Sequence, residues 1–275
     1  MSHNNQKKIA LINDMSGFGR CSIAVALPII SVMKVQCCAL PTSIFSNHTG
    51  FENYFMEDFT EQMIPYIENW EKLDLRFNGI CTGFLGSEKQ IQIVSDFIRT
   101  FKKKETLVLV DPVMGDYGKP YSTYTPKMCQ RMKELVKYAD ILTPNITEAC
   151  ILTDTPYKEK WKIKEIEEMA EKLSEQGPSR IVITGIPQKS YVANLCYEVN
   201  HAPSVIKVHR VGTERSGTGD IFASIVAADA VNGVNFQLSV KKASRFIKKC
   251  ILRSMELDIP TTDGVCFEEL LGSLR

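Results

Sequence analysis

Short, nearly continuous apolar runs alternate with longer amphipathic segments along this chain, and that alternation restricts its fold more than any other feature. The runs at 8–13, 35–40, 77–82, 106–110, 141–143 and 180–184 read as strands. Strands covered on both faces lose the polar alternation of a half-exposed sheet and look like this. Between 161 and 178, in WKIKEIEEMAEKLSEQGP, Ile163, Ile166, Met169, Ala170 and Leu173 recur at helical spacing, and Gly177 and Pro178 stop the helix. Repeated strand–helix alternation predicts an α/β fold, with a mostly parallel central sheet and helices on both faces. The stretch 191–208 departs from it: YVANLCYEV and SVIKVHRV, joined by NHAP, predict a hairpin. No linker, repeat or low-complexity segment breaks the pattern, so one domain over 1–275 is the simplest expectation.

Several function classes fall away. The net charge of +1 gives no electrostatic footprint for nucleic acid or an anionic membrane. The nine cysteines include an adjacent pair, Cys37 and Cys38, but no C-x-x-C or Cys/His ligand spacing. They read as thiols of a reducing compartment rather than a disulfide frame or zinc site. The opening MSHNNQKK has no apolar core of a signal peptide, and IAVALPIISVM is too short to span a bilayer, so a cytoplasmic protein is expected. The helix around SVKKASRFIKKCILRSM sets Lys241, Lys242, Arg245, Lys248 and Lys249 against Val240, Ala243, Phe246, Ile247 and Ile251. That is the pattern of a solvated face over a core-packing one.

In open α/β sheets, ligands bind beyond the carboxyl ends of the strands. The segments following the six runs are NDMSGFGRCS, PTSIFSNHTG, TGFLGSEKQ, DPVMGDYGK, TPNITEA and TGIPQ. Their Gly, Asp, Asn, Thr and Ser suit a polar, phosphate-bearing ligand, although they are also ordinary turn chemistry. SGFGRCS fails as a dinucleotide fingerprint, because Ser22 stands at the third glycine position and no carboxylate ends the second run. VGTERSGTGDIFAS, from Val211 to Ser224, lacks the lysine of a phosphate-binding P-loop. It does open a strongly apolar helix ending at Gly233. Glycines at a helix start leave backbone N–H groups facing outward, where the dipole adds partial positive charge, and this makes an anion site. From the residues alone, Asp220 is either a base beside that anion or a helix cap.

RSGTGDIFAS resembles the GTGD signature of the ribokinase-like superfamily of small-molecule kinases. SIFSNHTGF, TGFLGS, DPVMGD and DILTPNITEA are similar to the motifs of its pyridoxal kinase branch, in the same order. The resemblance implies a ribokinase-like three-layer sandwich and ATP-dependent phosphorylation of the 5′-hydroxymethyl group of a vitamin B6 vitamer. It implies Asp220 as the base, with Gly217, Thr218 and Gly219 holding the γ-phosphoryl oxygens. Asp111, Asp116, Asn145 and Glu148 would supply oxygens around Mg2+, Asp116 and Glu148 foremost. Asp111, Thr143, Asn145, Glu148, Thr184, Val211, Gly217 and Gly219 would form the ATP site, with a monovalent cation such as K+ near Thr143 and Thr184. Asp14, Ser16, Phe45, Asn47, His48, Thr49 and Phe84 would surround the acceptor. The family usually forms a homodimer.

Two positions depart from the branch. Counting back from Gly19 puts Asp14 where the pyridoxal enzymes carry a ring-contacting serine, and NDMSGFG is similar to the loop of hydroxymethylpyrimidine kinases. Phe84 stands where the branch often has tyrosine. A carboxylate and a hydroxyl select differently, because unpaired polar groups are penalised. The acceptor therefore stays open between a B6 vitamer and a hydroxymethylpyrimidine. A nucleotide- or B6-binding protein without turnover is the reading from another class, and the aspartate after Gly219 speaks against it.

Overall fold

The structure is a computed structural model and describes residues 5–275; the first four residues, part of the segment read for a leader peptide, lie outside them. In chain order the elements are β1 (Lys8–Phe18), α1 (Ser22–Val32), β2 (Gln36–Asn47), β3 (Met56–Asp58), α2 (Thr60–Lys72), β4 (Gly79–Thr82), α3 (Glu88–Phe101) and β5 (Leu107–Val110). There follow β6 (Gly115–Asp116), β7 (Lys119–Pro120), α4 (Pro126–Val136), β8 (Ile141–Leu142), α5 (Ile146–Leu152), α6 (Ile163–Ser174) and β9 (Arg180–Gln188). The last are β10 (Tyr191–Glu198), β11 (Ser204–His209), α7 (Thr218–Asn232) and α8 (Phe236–Glu256), with 3-10 turns at Thr261–Asp263 and Glu268–Leu274.

The main sheet has nine strands in the order β11-β10-β9-β8-β5-β4-β1-β2-β3. Its centre, from β9 to β2, is parallel, while β3, β10 and β11 are antiparallel. Alternate residues of each central strand enter opposite cores. Ala10, Ile12, Val108, Val110, Ile181 and Ile183 pack with α2 to α6. Ile9, Leu11, Leu109 and Val182 pack with α1, α7 and α8. A strand buried on both faces must be apolar at every position, which is why these runs are continuous. The three-layer expectation and the hairpin at 191–208 are both met.

Three strands extend beyond their apolar runs. β1 runs on to Phe18 and β2 to Asn47, so NDMSGF and PTSIFSN are strand rather than loop. The two strands keep pairing beyond an irregularity between Asn13 and Met15, which the apolar pattern does not register. β9 continues to Gln188 because β10 pairs with it. The basic stripe lies on the outer face of α8, where, among the described residues, Lys242 alone of the five forms an ion pair, with the buried Asp229 at 2.7 Å. All nine cysteines are free, and no helix among the described residues is long and apolar enough to cross a membrane.

β1 lies between β2 and β4, with α1 covering one face and α2 the other, so the strand order reverses there. A crevice opens at the carboxyl ends of strands at such a reversal.

Candidate active site

Asp220 sits in the first turn of α7, whose N-cap is Gly217 at φ 85°. The first intrahelical bond closes from Ile221 N–H to the Gly217 carbonyl at 2.9 Å. Helix geometry therefore leaves the amides of Thr218 and Gly219 without a partner four residues back. A Cβ on Gly219 would have no heavy atom within 4 Å, so there is open space beside this first turn. Gly217 is the opposite case: a Cβ there would overlap the Arg20 carbonyl. Thr218 Oγ1 donates to the Arg215 carbonyl at 3.3 Å. Nearby, Val211 is half-buried.

The carboxyl of Asp220 accepts a hydrogen bond from Asn13 Nδ2 at 3.1 Å. Burial pushes its pKa up, opposed by the Ser22 backbone N–H and the Asn13 amide. Beside it, Asp14 is 6% exposed. Asp14 accepts from Ser22 Oγ at 2.6 Å and Ser16 Oγ at 3.4 Å. Burial and the neighbouring Asp220 lift its pKa to about 6, against the hydroxyl bonds.

A second group of carboxylates lies beyond β5 and β8. Asp111 accepts from Thr143 Oγ1 at 2.8 Å. Glu148 is buried and closes a capping box: Asn145 N–H donates to Oε2 at 2.7 Å, and Glu148 N–H donates to Asn145 Oδ1 at 2.9 Å. Met114 N–H donates to Glu148 Oε1 at 3.1 Å. Asn145 Nδ2 holds the Gly115 carbonyl at 2.8 Å, and Thr184 N–H bonds the Pro144 carbonyl at 2.9 Å. Burial raises the pKa of Asp111, Asp116 and Glu148, and the charge of Asp111 raises Glu148 further. None of these carboxylates has an ion-pair partner among the described residues.

Carboxyls whose ionised forms are disfavoured in this way fit a bound cation, which would favour those forms. No group of three or more His, Cys, Asp or Glu side chains gathers around one point among the described residues. Magnesium does not need one, because it keeps several waters and takes one or two carboxylates alongside substrate phosphates. Asp116 and Glu148 suit that use. The hydroxyls of Thr143 and Thr184 are each turned to a protein oxygen, Asp111 Oδ1 and the Pro144 carbonyl.

Beyond β1 and β2, Phe45, Phe84 and Tyr124 form an aromatic row, with ring centroids 6.4 and 6.5 Å apart. Ser16 and Phe45 are paired across β1 and β2 and are both buried. Asn47 and His48 are used differently from the sequence expectation. Asn47 Nδ2 holds the Asn53 carbonyl at 2.8 Å and fixes the 47–53 turn. Gly50 N–H donates to His48 Nδ1 at 3.1 Å, so Nε2 carries the proton and donates to the Thr262 carbonyl at 2.6 Å. With both nitrogens engaged, His48 latches the 47–53 segment to the C-terminal segment, and only the face of its ring is left uncommitted. Thr49 is exposed.

The sequence reading missed four residues that hold this site together. Asn13 and Ser22 orient the two central aspartates. Tyr121 lies in the electrostatic reach of Asp111, Asp116, Glu148 and Asp220 together. Arg215 ties the glycine loop to the carbonyls of Ile259 and Pro260 at 2.7 and 3.0 Å. None of the four carries a local sequence signal.

The chain matches the phosphomethylpyrimidine kinase family over residues 26–262. A solved structure from Bacteroides thetaiotaomicron, provisionally named a phosphomethylpyrimidine kinase, superposes with a TM-score of 0.97 at 36% identity, covering 100% of this chain and 96% of that one. A second crystal form of it, with pyridoxal, gives 0.95 at 35%, covering 98% and 96%. The thiamine biosynthetic bifunctional enzyme TH1 of Arabidopsis thaliana is 25% identical over 94% of this chain and 48% of its own length. The pyridoxine/pyridoxal/pyridoxamine kinase of Bordetella avium is 29% identical over 67% of this chain and 64% of its own. The chain thus spans about half to two thirds of the length of these two curated relatives. It belongs to the phosphomethylpyrimidine kinase family.

Proposed function

We propose, from that membership and this geometry, that the protein transfers the γ-phosphoryl group of ATP to the hydroxymethyl group of a B6 vitamer: pyridoxal, pyridoxamine or pyridoxine. The observation that carries the reading is the Asp220 carboxyl, held by Asn13 in the first turn of α7 with Asp14 as its charged neighbour. Asp220 takes the proton from the acceptor hydroxyl as its oxygen bonds to phosphorus, the bond from phosphorus to the β-phosphate bridging oxygen breaks, and ADP leaves. The Thr218 and Gly219 amides receive the transferring oxygens, replacing the lysine of a P-loop. Magnesium, when bound near Asp116 and Glu148, neutralises charge on the phosphates. Phe45, Phe84 and Tyr124 shield the ring. A homodimer of single-domain subunits in the cytoplasm belongs to the same proposal. The test is ATP consumption with each vitamer and with hydroxymethylpyrimidine; tight binding without consumption would favour a binding protein.

One observation favours the second acceptor. Asp14, lifted to about 6, exchanges its proton near neutrality and can meet a ring nitrogen as donor or acceptor. Such a group suits a ring nitrogen of a hydroxymethylpyrimidine, where the pyridoxal branch has only a serine hydroxyl. Asp14→Ser should therefore change the ratio of kcat/KM between pyridoxal, pyridoxamine and hydroxymethylpyrimidine by about tenfold or more, ~1.4 kcal/mol. Ratios that stay within about twofold would mean that Asp14 does not read the ring.

Asp116→Asn should raise the magnesium concentration needed for half-maximal turnover by several-fold and leave acceptor KM unchanged. Titration of activity with magnesium reads this, and an unchanged midpoint would remove Asp116 from the metal site. Glu148→Gln is a poorer probe. Both Glu148 oxygens accept backbone N–H groups. An amide nitrogen facing one of them would cost ~1–3 kcal/mol of stability on its own.

A further inference from the structure

We propose that Asn13 is the positioning residue for Asp220, and that its single amide group ties the base to the wall of the acceptor pocket. The inference rests on the kinase reading above. Asn13 is 4% exposed and stands at the irregularity where β1 slips against β2. Its Oδ1 accepts from the Asp14 N–H at 3.0 Å and from the Phe84 N–H at 2.8 Å. Two donors on that atom fix which way the amide points, so Nδ2 is the atom that meets Asp220 Oδ1 at 3.1 Å. The amide is also wedged in place. A Cβ on Gly83 would overlap the Asn13 carboxamide, so only glycine leaves the room it occupies.

The bond matters because no Lys, Arg or His among the described residues forms an ion pair with Asp220. The titratable groups that face it are Asp14 of β1, Cys21 before α1, Cys81 of β4, Asp111 after β5 and Tyr121 after β7. The two carboxylates among them oppose its ionised form. The Asn13 N–H and the Ser22 backbone N–H favour it. Asn13 thus does two things: it keeps the base ionised, and it aims the carboxylate. Because Phe84 N–H shares the same amide, a shift of the acceptor wall is passed to the base.

Asn13→Asp separates the two faces of the amide. It keeps an oxygen for the Asp14 and Phe84 N–H groups and replaces the N–H facing Asp220 by a second oxygen. Turnover, the KM values and the carboxyl resonance of Asp220 should be measured in the wild type and this variant. The resonance is followed by NMR on 13C-aspartate protein and assigned with Asp220→Asn. The expected result is a fall in kcat of about tenfold or more. KM values should hold within about twofold, and Asp220 should titrate at higher pH, because a donor to its charged form is gone and a second carboxyl faces it. Gly83→Ala, which displaces the amide without altering it, should move the titration the same way. Wild-type kcat and an unmoved titration in Asn13→Asp, with stability lost only in Asn13→Ala, would make Asn13 a fold residue and overturn the proposal. The titration does not depend on turnover. If no acceptor drives ATP consumption, the kinase reading fails, and the titration still decides whether Asn13 governs Asp220.

Discussion

Replacing Asp220 by asparagine should lower kcat by ~10²–10⁴, about 3–5 kcal/mol of barrier, while the fold stays intact. Asparagine keeps the size of the side chain and an oxygen for the Asn13 N–H, now at 3.1 Å from Asp220. It cannot take a proton from an acceptor hydroxyl. The helix start loses a favourable charge–dipole interaction of ~0.3–1 kcal/mol. It also loses a desolvated like charge that now pushes Asp14 up. The two changes oppose each other, so melting temperature should barely move, and Asp14 should ionise at lower pH than in the wild type. Nucleotide affinity should hold, because the amides of Thr218 and Gly219 are untouched. Single-turnover phosphoryl transfer, calorimetric ATP binding and thermal unfolding read the three quantities separately. Near wild-type turnover would make Asp220 a helix cap and remove the proposed mechanism.

The layered fold was legible because burial on both sheet faces leaves a local trace. Every position of Ile9–Ile12 or Leu107–Val110 must be apolar, and the eye finds such runs without knowing their partners. The trace fades where β1 passes Asn13. From there to Phe18 the strand carries Asp14, Ser16 and Gly17, because one face lines a polar crevice, and a chain reading seeks apolar runs. Function thus erased the strand signal at the place where the site begins. The GTGD segment was legible for the opposite reason: a helix start, its glycines and its first-turn acid are all local.

Partner choice was not legible, because the bonds that decide it cross most of the chain. His48 reads as a polar group beside an aromatic pocket, yet its Nε2 is bonded to Thr262, 214 positions away. Asn13 reads as the last residue of a strand, and its bond to Asp220 spans 207 positions. Neither has a spacing rule. Glu148 lies between these cases. Its N-x-x-E capping box is local, but the Met114 N–H on its other oxygen comes from the segment before β6, 34 residues earlier. Both roles draw on one side chain, which is why a carboxylate matched to a metal also shapes the helix beneath it.

The two glycines of the cradle should respond to alanine in opposite directions. At Gly217 the backbone sits at φ 85°, in the left-handed region, which costs an L side chain ~1–2 kcal/mol. The added methyl would also overlap the Arg20 carbonyl. Arg20 cannot yield easily, since its N–H bonds the Asp263 carbonyl at 3.1 Å and its Nε pairs with Glu268 at 2.6 Å. The strain must therefore part α7 from the segment that carries Ser22, whose backbone and hydroxyl hold Asp220 and Asp14. Gly217→Ala should lower melting temperature by several degrees, at ~2–4 °C per kcal/mol for a chain near this size. It should also lose ATP and acceptor binding together. Gly219 lies within α7 with open space beyond it. Alanine there gains helix propensity of up to about 1 kcal/mol, so the free protein should melt at the same temperature or slightly higher. The methyl would stand in front of the amides that receive the phosphoryl oxygens. ATP affinity should fall while the acceptor still binds. Thermal unfolding with and without ATP, and calorimetry with each substrate, distinguish the two variants. If Gly219→Ala bound ATP as the wild type does, the amides of Thr218 and Gly219 would not be where the phosphates rest.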